Sequence, residues 1–173
     1  MGERMMQTQT TAVFSEELAV LPTKLPTSST VYNFPINRQK IFITEPNRDW
    51  RPAIMERLEK LTRLETGWDG YLGEPVSFAN ANFALRMLEG ICSKDTPAPQ
   101  IVPGTRGDLQ IEWHTHITDI ELHVIAPNNV HAWLADEKTG PDGKDFLLTI
   151  NFTEVARQIR KMTEHASDRV ATS

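Results

Sequence analysis

Residues 109–135 read LQIEWHTHITDIELHVIAPNNVHAWLA. Apolar and polar residues alternate along this stretch, which is typical of strands that bury one face. The turn-forming residues Pro127-Asn128-Asn129 divide it, and the same alternation returns at 146–150 after a turn at 140–143. We therefore predict a four-stranded antiparallel meander with one buried face. Its predicted strands are residues 109–114, 117–125, 130–135 and 146–150.

The apolar positions of this meander restrict how the strands pair. The predicted inner-face residues are Leu109, Ile111, Trp113, Ile120, Leu122, Val124, Val130, Ala132, Leu134, Phe146, Leu148 and Ile150. Matching them across the first hairpin allows two registers. One pairs Glu112 with Asp119, and the other pairs His114 with Asp119 and Glu112 with Glu121. Across the second hairpin, aligning Leu122 with Ala132 places His123 opposite His131.

Segments with helical periodicity precede and follow the meander in the sequence. Apolar residues recur at a spacing of three to four within 54–64, 78–88 and 155–162, which predicts three amphipathic helices. Pro52 suits the first turn of the first helix, and Ser77 is the predicted N-cap of the second. Helices that cover the apolar sheet face give an α+β domain in the order helix, helix, four strands, helix.

The chain divides into three predicted parts. Residues 1–48 are rich in Thr, Ser, Pro and Gln and carry only short apolar islands, so we expect an extended N-terminal arm. Its islands at 31–34 and 41–43 could add an edge strand to the domain or to a partner. Residues 49–165 form the predicted single domain, and residues 166–173 are expected to fray. We expect a homodimer to which residues 31–44 contribute.

Charge and cysteine content limit the function classes. The 173 residues carry a net charge of −5, and residues 99–150 hold three basic against eight acidic groups. No basic stripe is present, which disfavours direct nucleic-acid binding. Cys92 is the single cysteine and no apolar run reaches membrane-spanning length, so we expect a soluble cytoplasmic protein that makes no membrane contact.

The segment Trp68-Asp69-Gly70-Tyr71, followed by Gly73 and Pro75, lies between the first two predicted helices. With Glu112-Trp113 it resembles a group of uncharacterised small bacterial proteins that carry a motif close to Asn-Trp-Asp-Gly-Tyr-Gly-Ala-x-Pro between two helices, then a strand ending in an acidic-Trp pair. The likeness covers about residues 58–135. It departs from the motif at Gly67, where Asn is usual, and at 72–74, which replace a tighter Gly-Ala spacing. The resemblance implies this fold and a bacterial or phage origin, and it carries over no catalytic residue.

Two interpretations of this loop stay open. Trp68 and Tyr71 could pack into the junction between helices and sheet as anchors. Alternatively, Asp69 and exposed ring edges form a recognition surface.

The outward positions of the meander are crowded with ionisable groups. A solvated or partner-binding face is one interpretation, and a metal-dependent hydrolase or nuclease is the other. The residues on which such an enzyme would centre are Glu112, His114, Asp119, His123 and His131. Their spacing matches no tight metal motif, so we expect no metal, no cofactor and no catalytic residue. The candidate binding residues are Trp68, Asp69, Tyr71, Glu112, His114, Glu121, His123, His131 and Trp133.

These observations favour a non-enzymatic protein–protein interaction module of the antitoxin, immunity or inhibitor type. Its expected partner is another protein or a second copy of itself. The alternative is the metal-dependent hydrolase or nuclease that uses the acidic and histidine-bearing sheet face.

Overall fold

The structure, a computed structural model, describes residues 30–34, 39–43 and 48–171. The fold is α+β. Its strands are β1 (Thr30–Phe34), β2 (Gln39–Ile43), β3 (Gln100–Pro103), β4 (Leu109–His114), β5 (Thr118–Ala126), β6 (Asn129–Asp136) and β7 (Lys144–Leu148). Its helices are α1 (Arg51–Thr62), α2 (Phe78–Ile91) and α3 (Thr153–Ala171), with a short 3-10 turn at Gly140–Asp142.

Strands β3 to β7 form one antiparallel sheet in sequential order. Between β4 and β5 the structure has the second of the two predicted registers, because His114 pairs with Asp119 and Glu112 pairs with Glu121. Between β5 and β6, His123 pairs with His131 as predicted. A bulge lies between Val124 and Ala126, where β5 turns into the second hairpin.

The prediction of four strands is wrong, since the sheet has five. The predicted strands begin at residue 109 and do not include β3, which is short and ends in Pro103, a residue typical of edge strands. Its Ile101 is buried and pairs with Ile111 of β4. The last strand also lies earlier than predicted, at Lys144–Leu148. Ile150, predicted to face the core, is 84% exposed beyond the end of β7.

The core lies between the helices and one face of the sheet. The predicted inner residues of β4, β5 and β6 are all buried. Each helix contributes its predicted apolar stripe, which includes Ile54 and Leu58 from α1, Leu85 from α2 and Ile159 from α3. The three helices therefore cover one face of the sheet, and the opposite face carries the alternate, polar residues of each strand.

Helix α2 is connected to the sheet by a buried asparagine. Ser77 is the N-cap, as predicted, and its hydroxyl accepts a hydrogen bond from the Asn80 backbone N–H at 3.2 Å. The Asn80 side chain is buried and donates to the carbonyls of Gly107 at 2.8 Å and Ile125 at 3.2 Å. One amide thus connects α2 with the turn before β4 and with the end of β5.

Helix α1 is attached to its neighbours by arginines. Arg51 is buried and donates from Nε and Nη2 to both carboxylate oxygens of Glu89 in α2, at 2.6 and 2.9 Å. Arg57 donates from Nε to the Ile101 carbonyl of β3 at 2.8 Å. The second contact fixes α1 against the edge strand of the sheet.

Part of the predicted N-terminal arm is described. Strands β1 and β2 pair with each other in a separate two-stranded antiparallel sheet and are not hydrogen-bonded to the five-stranded one. The remainder of the arm, at 1–29, 35–38 and 44–47, lies outside the described residues. Helix α3 continues through Ala171, and the predicted fraying of the tail stays a prediction. No helix of the described chain is long and apolar enough to cross a membrane.

Candidate functional site

We call the side of the sheet opposite the helices the outer face. Strand pairing aligns its residues in rows, of which one is Gln110, His123, His131 and Leu147. The next row is Glu112, Glu121, Trp133 and Asp145, and His114 with Asp119 begins a third. Among the strand residues of this face that the structure describes, none is lysine or arginine. The outer face is therefore a surface of carboxylates and histidines.

His114 lies between two carboxylates of this face. Its Nε2 is 3.3 Å from a Glu112 oxygen, and its Nδ1 is 3.3 Å from an Asp119 oxygen. The hydrogen bond to Glu112, and then the one to Asp119, raises the pKa of His114 above its ordinary value. His114 is half exposed, so this triplet is a solvent-accessible charge cluster whose net charge changes when the imidazole titrates.

His123 contacts a carboxylate that sequence reasoning missed. Its Nε2 is hydrogen-bonded to Asp108, a buried residue in the turn before β4. Asp108 also accepts from the Arg106 backbone N–H at 2.8 Å. Burial alone would raise the pKa of Asp108, but these hydrogen bonds outweigh it and the pKa lies below its usual range. The only feature of the sequence that could have indicated this contact is the position of Asp108 beside Gly107 in a turn.

The Glu121 and Trp133 side chains occupy the centre of the outer face. Glu121 accepts a hydrogen bond from the Gln110 amide at 3.0 Å. Trp133 is half-buried, and its indole covers Gly143, where an added Cβ would lie 2.5 Å from ring atoms. His131 is exposed on the same strand. The centre of the face therefore combines a hydrogen-bonded carboxylate with the indole ring of Trp133.

The candidate ligands of a metal do not meet in one place. His114 contacts Glu112 and Asp119, whereas His123 is hydrogen-bonded to Asp108. In residues 48–171, no group of three His, Cys, Asp or Glu side chains is arranged to hold a metal ion.

Cys92 is buried, and burial raises its pKa to about 12, so its thiol is protonated at neutral pH.

The aromatic loop, residues 67–75, is closed by its own hydrogen bonds. Asp69 accepts from the backbone N–H groups of Tyr71 and Gly73, both at 2.9 Å. These two bonds, in that order, lower the pKa of Asp69. The Gly67 N–H donates to the Gly73 carbonyl at 2.7 Å, and the indole N–H of Trp68 donates to the Glu74 carbonyl at 3.0 Å. The loop is thus held in one shape by short-range bonds.

The two aromatic residues of this loop have different environments. Trp68 is half-buried, which agrees with a role as an anchor. Tyr71 is 85% exposed, as is Leu72 beside it, so the interpretation of Tyr71 as a packing residue is wrong. Asp69 turns the chain so that these two side chains form the tip of the loop. The tip of the loop therefore exposes a tyrosine and a leucine side chain to solvent.

The loop is joined to the turn that carries Asp108. The Glu74 N–H donates to the Thr105 carbonyl at 3.0 Å, and Ser77 N–H donates to the Gly107 carbonyl at 3.0 Å. Glu74 and Arg106 also form an isolated parallel bridge. One continuous backbone network therefore supports both the tip of the aromatic loop and the carboxylate that holds His123.

No family model, no curated protein and no solved structure matches this chain.

Proposed function

We propose that this protein is a non-enzymatic protein–protein interaction module of bacterial or phage origin, of the antitoxin, immunity or inhibitor type, acting in the cytoplasm. The observation that carries the proposal is the outer face of the sheet, which lies opposite all three helices. The origin rests on the resemblance of the aromatic loop to those of small bacterial proteins.

Charge gives the outer face its selectivity. Glu112, Asp119, Glu121 and Asp145 share this face with no lysine or arginine among its described strand residues. Such a face attracts a positively charged partner surface at long range and repels a negatively charged one. The partner that fits is therefore a protein with a basic surface. Trp133 supplies aromatic contact area within the same patch.

The aromatic loop supplies a second contact. Tyr71 and Leu72 place apolar surface in water on a loop whose backbone is already ordered by Asp69. A pre-ordered loop loses little conformational entropy on binding, so its contacts contribute more to affinity. Tyrosine is also among the residues that contribute most at protein interfaces.

The alternative proposal is a metal-dependent hydrolase or nuclease that uses the same face. The observation in its favour is His114 held between Glu112 and Asp119. Against it, the second histidine of the face is hydrogen-bonded to Asp108, away from that triplet. The interaction module accounts for both the outer face and the aromatic loop, whereas the hydrolase leaves Tyr71 without a role.

The test is capture of a partner from an extract of the source cells. The tagged protein is compared with a Glu112→Lys/Glu121→Lys variant, and with a control Glu65→Lys/Glu164→Lys that reverses two exposed charges elsewhere. We expect one protein, identified by mass spectrometry, to be retained by the parent and the control and lost by the face variant. Equal retention by all three folded proteins contradicts the proposal, as does metal-dependent hydrolysis abolished by His114→Ala.

A second copy of the chain is the other proposed partner. Strands β1 and β2 form a hairpin outside the main sheet, and isolated two-stranded sheets are marginally stable in water. We therefore propose that residues 31–44 contribute to a homodimer. Light scattering should give twice the monomer mass, and deletion of residues 1–44 should halve it. A monomer that is unaffected by the deletion contradicts this assembly.

A further inference from the structure

A groove lies between helix α3 and the end of β6. Its volume is about 370 Å³. Its charged lining residues are Asp136, Lys138, Lys144, Glu154, Arg157 and Lys161. The α3 positions 154, 157, 158 and 161 lie on one side of the helix and form one wall. The second wall is the end of β6, the turn after it and the first residue of β7.

Basic groups outnumber acidic ones in this groove. Its cations are Lys138, Lys144, Arg157 and Lys161, and its two acids are Asp136 and Glu154. The groove therefore has an excess of two positive charges. The whole chain has a net charge of −5, so this concentration of cations opposes the overall charge of the molecule.

The Asp136 carboxylate already accepts hydrogen bonds from neighbouring groups of the protein. It accepts from the backbone N–H groups of Thr139 and Lys138, each at 3.0 Å, and from the Gln158 amide at 3.3 Å. The Thr139 backbone bond is the largest contribution, and the pKa of Asp136 falls to about 2. The Lys161 Nζ lies 3.7 Å from the Asp136 Oδ2. The Asp136 charge is thus fixed and compensated within the fold.

Glu154 is compensated by Arg157, one helical turn further along α3. Arg157 Nε donates to Glu154 at 3.1 Å, and a second guanidinium nitrogen contacts its other oxygen. Lys138 and Lys144 form no ion pair with any residue that the structure describes, although the charge of Lys144 contributes to lowering the pKa of Glu154. These two lysines are the source of the excess positive charge.

We propose that this groove binds a small ligand that carries a phosphate monoester. At neutral pH a phosphate monoester carries close to two negative charges, which matches the excess of two positive charges in the groove. Lys138 and Lys144 supply charge from the strand side. Thr139 supplies a hydroxyl within the lining. The cavity volume falls in the range of about 300–1,000 Å³ that is usual for small-molecule sites.

The test is a titration with methyl phosphate at about pH 7.5, followed by amide chemical shifts in two-dimensional NMR. Acetate at matched ionic strength is the monoanionic comparison. The variant is Lys138→Gln/Lys144→Gln, and the control Lys60→Gln/Lys94→Gln removes two exposed lysines elsewhere. Both variant lysines are exposed, and the Lys138 backbone N–H that binds Asp136 is retained.

We expect saturable shifts at Thr139, Lys144 and the first two turns of α3, with methyl phosphate binding more tightly than acetate. Loss of two charges that act through water should weaken methyl phosphate binding about tenfold in the variant, while the control binds like the parent. Shifts that do not saturate, equal affinity for acetate, or an unchanged affinity in the variant would each overturn the proposal. None of these outcomes depends on the outer face or on a protein partner.

Discussion

Replacement of Asn80 tests how the candidate site is supported. Its buried amide donates to the Gly107 and Ile125 carbonyls, so Asn80→Ala removes two hydrogen bonds. The Gly107 carbonyl keeps the Ser77 N–H as a donor, whereas the Ile125 carbonyl loses the donor that Asn80 supplies. A hydrogen bond contributes about 0.5–1.5 kcal/mol net, and an unsatisfied buried group costs about 1–3 kcal/mol. We expect the free energy of unfolding to fall by about 2–4 kcal/mol.

Urea unfolding followed by tryptophan fluorescence measures this change. With a denaturant slope of about 1–3 kcal/mol per molar urea, the midpoint should fall by about 1–2 M. The control is Asn82→Ala, two residues along the same helix, where the side chain only accepts a 3.3 Å bond from exposed Arg86. Its effect should stay within about 0.5 kcal/mol. An Asn80→Ala protein with the same midpoint as Asn82→Ala would refute the reasoning.

Three further predictions concern the loop, the outer face and two glycines. Trp68→Ala should cost about 2–3 kcal/mol in thermal or urea unfolding, below the range for a fully buried tryptophan because the ring is half-buried; a variant that unfolds like the parent would exclude the anchor role. The raised pKa of His114 means that its contribution to stability is complete below about pH 6.5 and is lost as the pH rises through the folded-state pKa. His114→Gln should therefore destabilise the protein more at about pH 5.5 than at about pH 8.5, and a difference independent of pH would contradict this. Gly90 lies in open space within α2, so Gly90→Ala should stabilise the protein by about 0.5–1 kcal/mol. Gly104→Ala should destabilise it, because the added Cβ would lie 2.2 Å from the Asp108 carboxylate. Melting temperatures equal to that of the parent protein would contradict both predictions.

Strand pairing was largely predictable because side chains alternate with a period of two. A slip of one residue would have moved Leu122 from the core to solvent, so the apolar positions restricted the choice to a few registers. Helix stripes were predictable for the same reason, since Ile54, Leu85 and Ile159 recur with their neighbours at helical spacing. The pairing of His123 with His131 followed from these constraints and is confirmed.

Contacts between distant segments were not predictable. The hydrogen bond between Asp108 and His123 depends on the path of a turn, and the two bonds of Asn80 depend on where α2 crosses the sheet. Neither leaves a periodic pattern in the sequence. The exposure of Tyr71 depends likewise on the hydrogen bonds of Asp69, which turn the loop tip outward. Strand β3 was missed because four residues ending in proline resemble a turn.

The hydrogen bond from Arg57 to the Ile101 carbonyl gives the two edges of the main sheet different capacities to pair with a further strand. On the β3 side, the Ile101 carbonyl accepts a hydrogen bond from Arg57, and Pro103 has no N–H to donate to a further strand. On the far side, β7 is the terminal strand. A sheet that could grow at both borders would allow chains to polymerise into fibres, whereas one with a single open border stops when two copies have joined. Arg57 thus leaves the β3 edge with fewer free groups for pairing with a further strand.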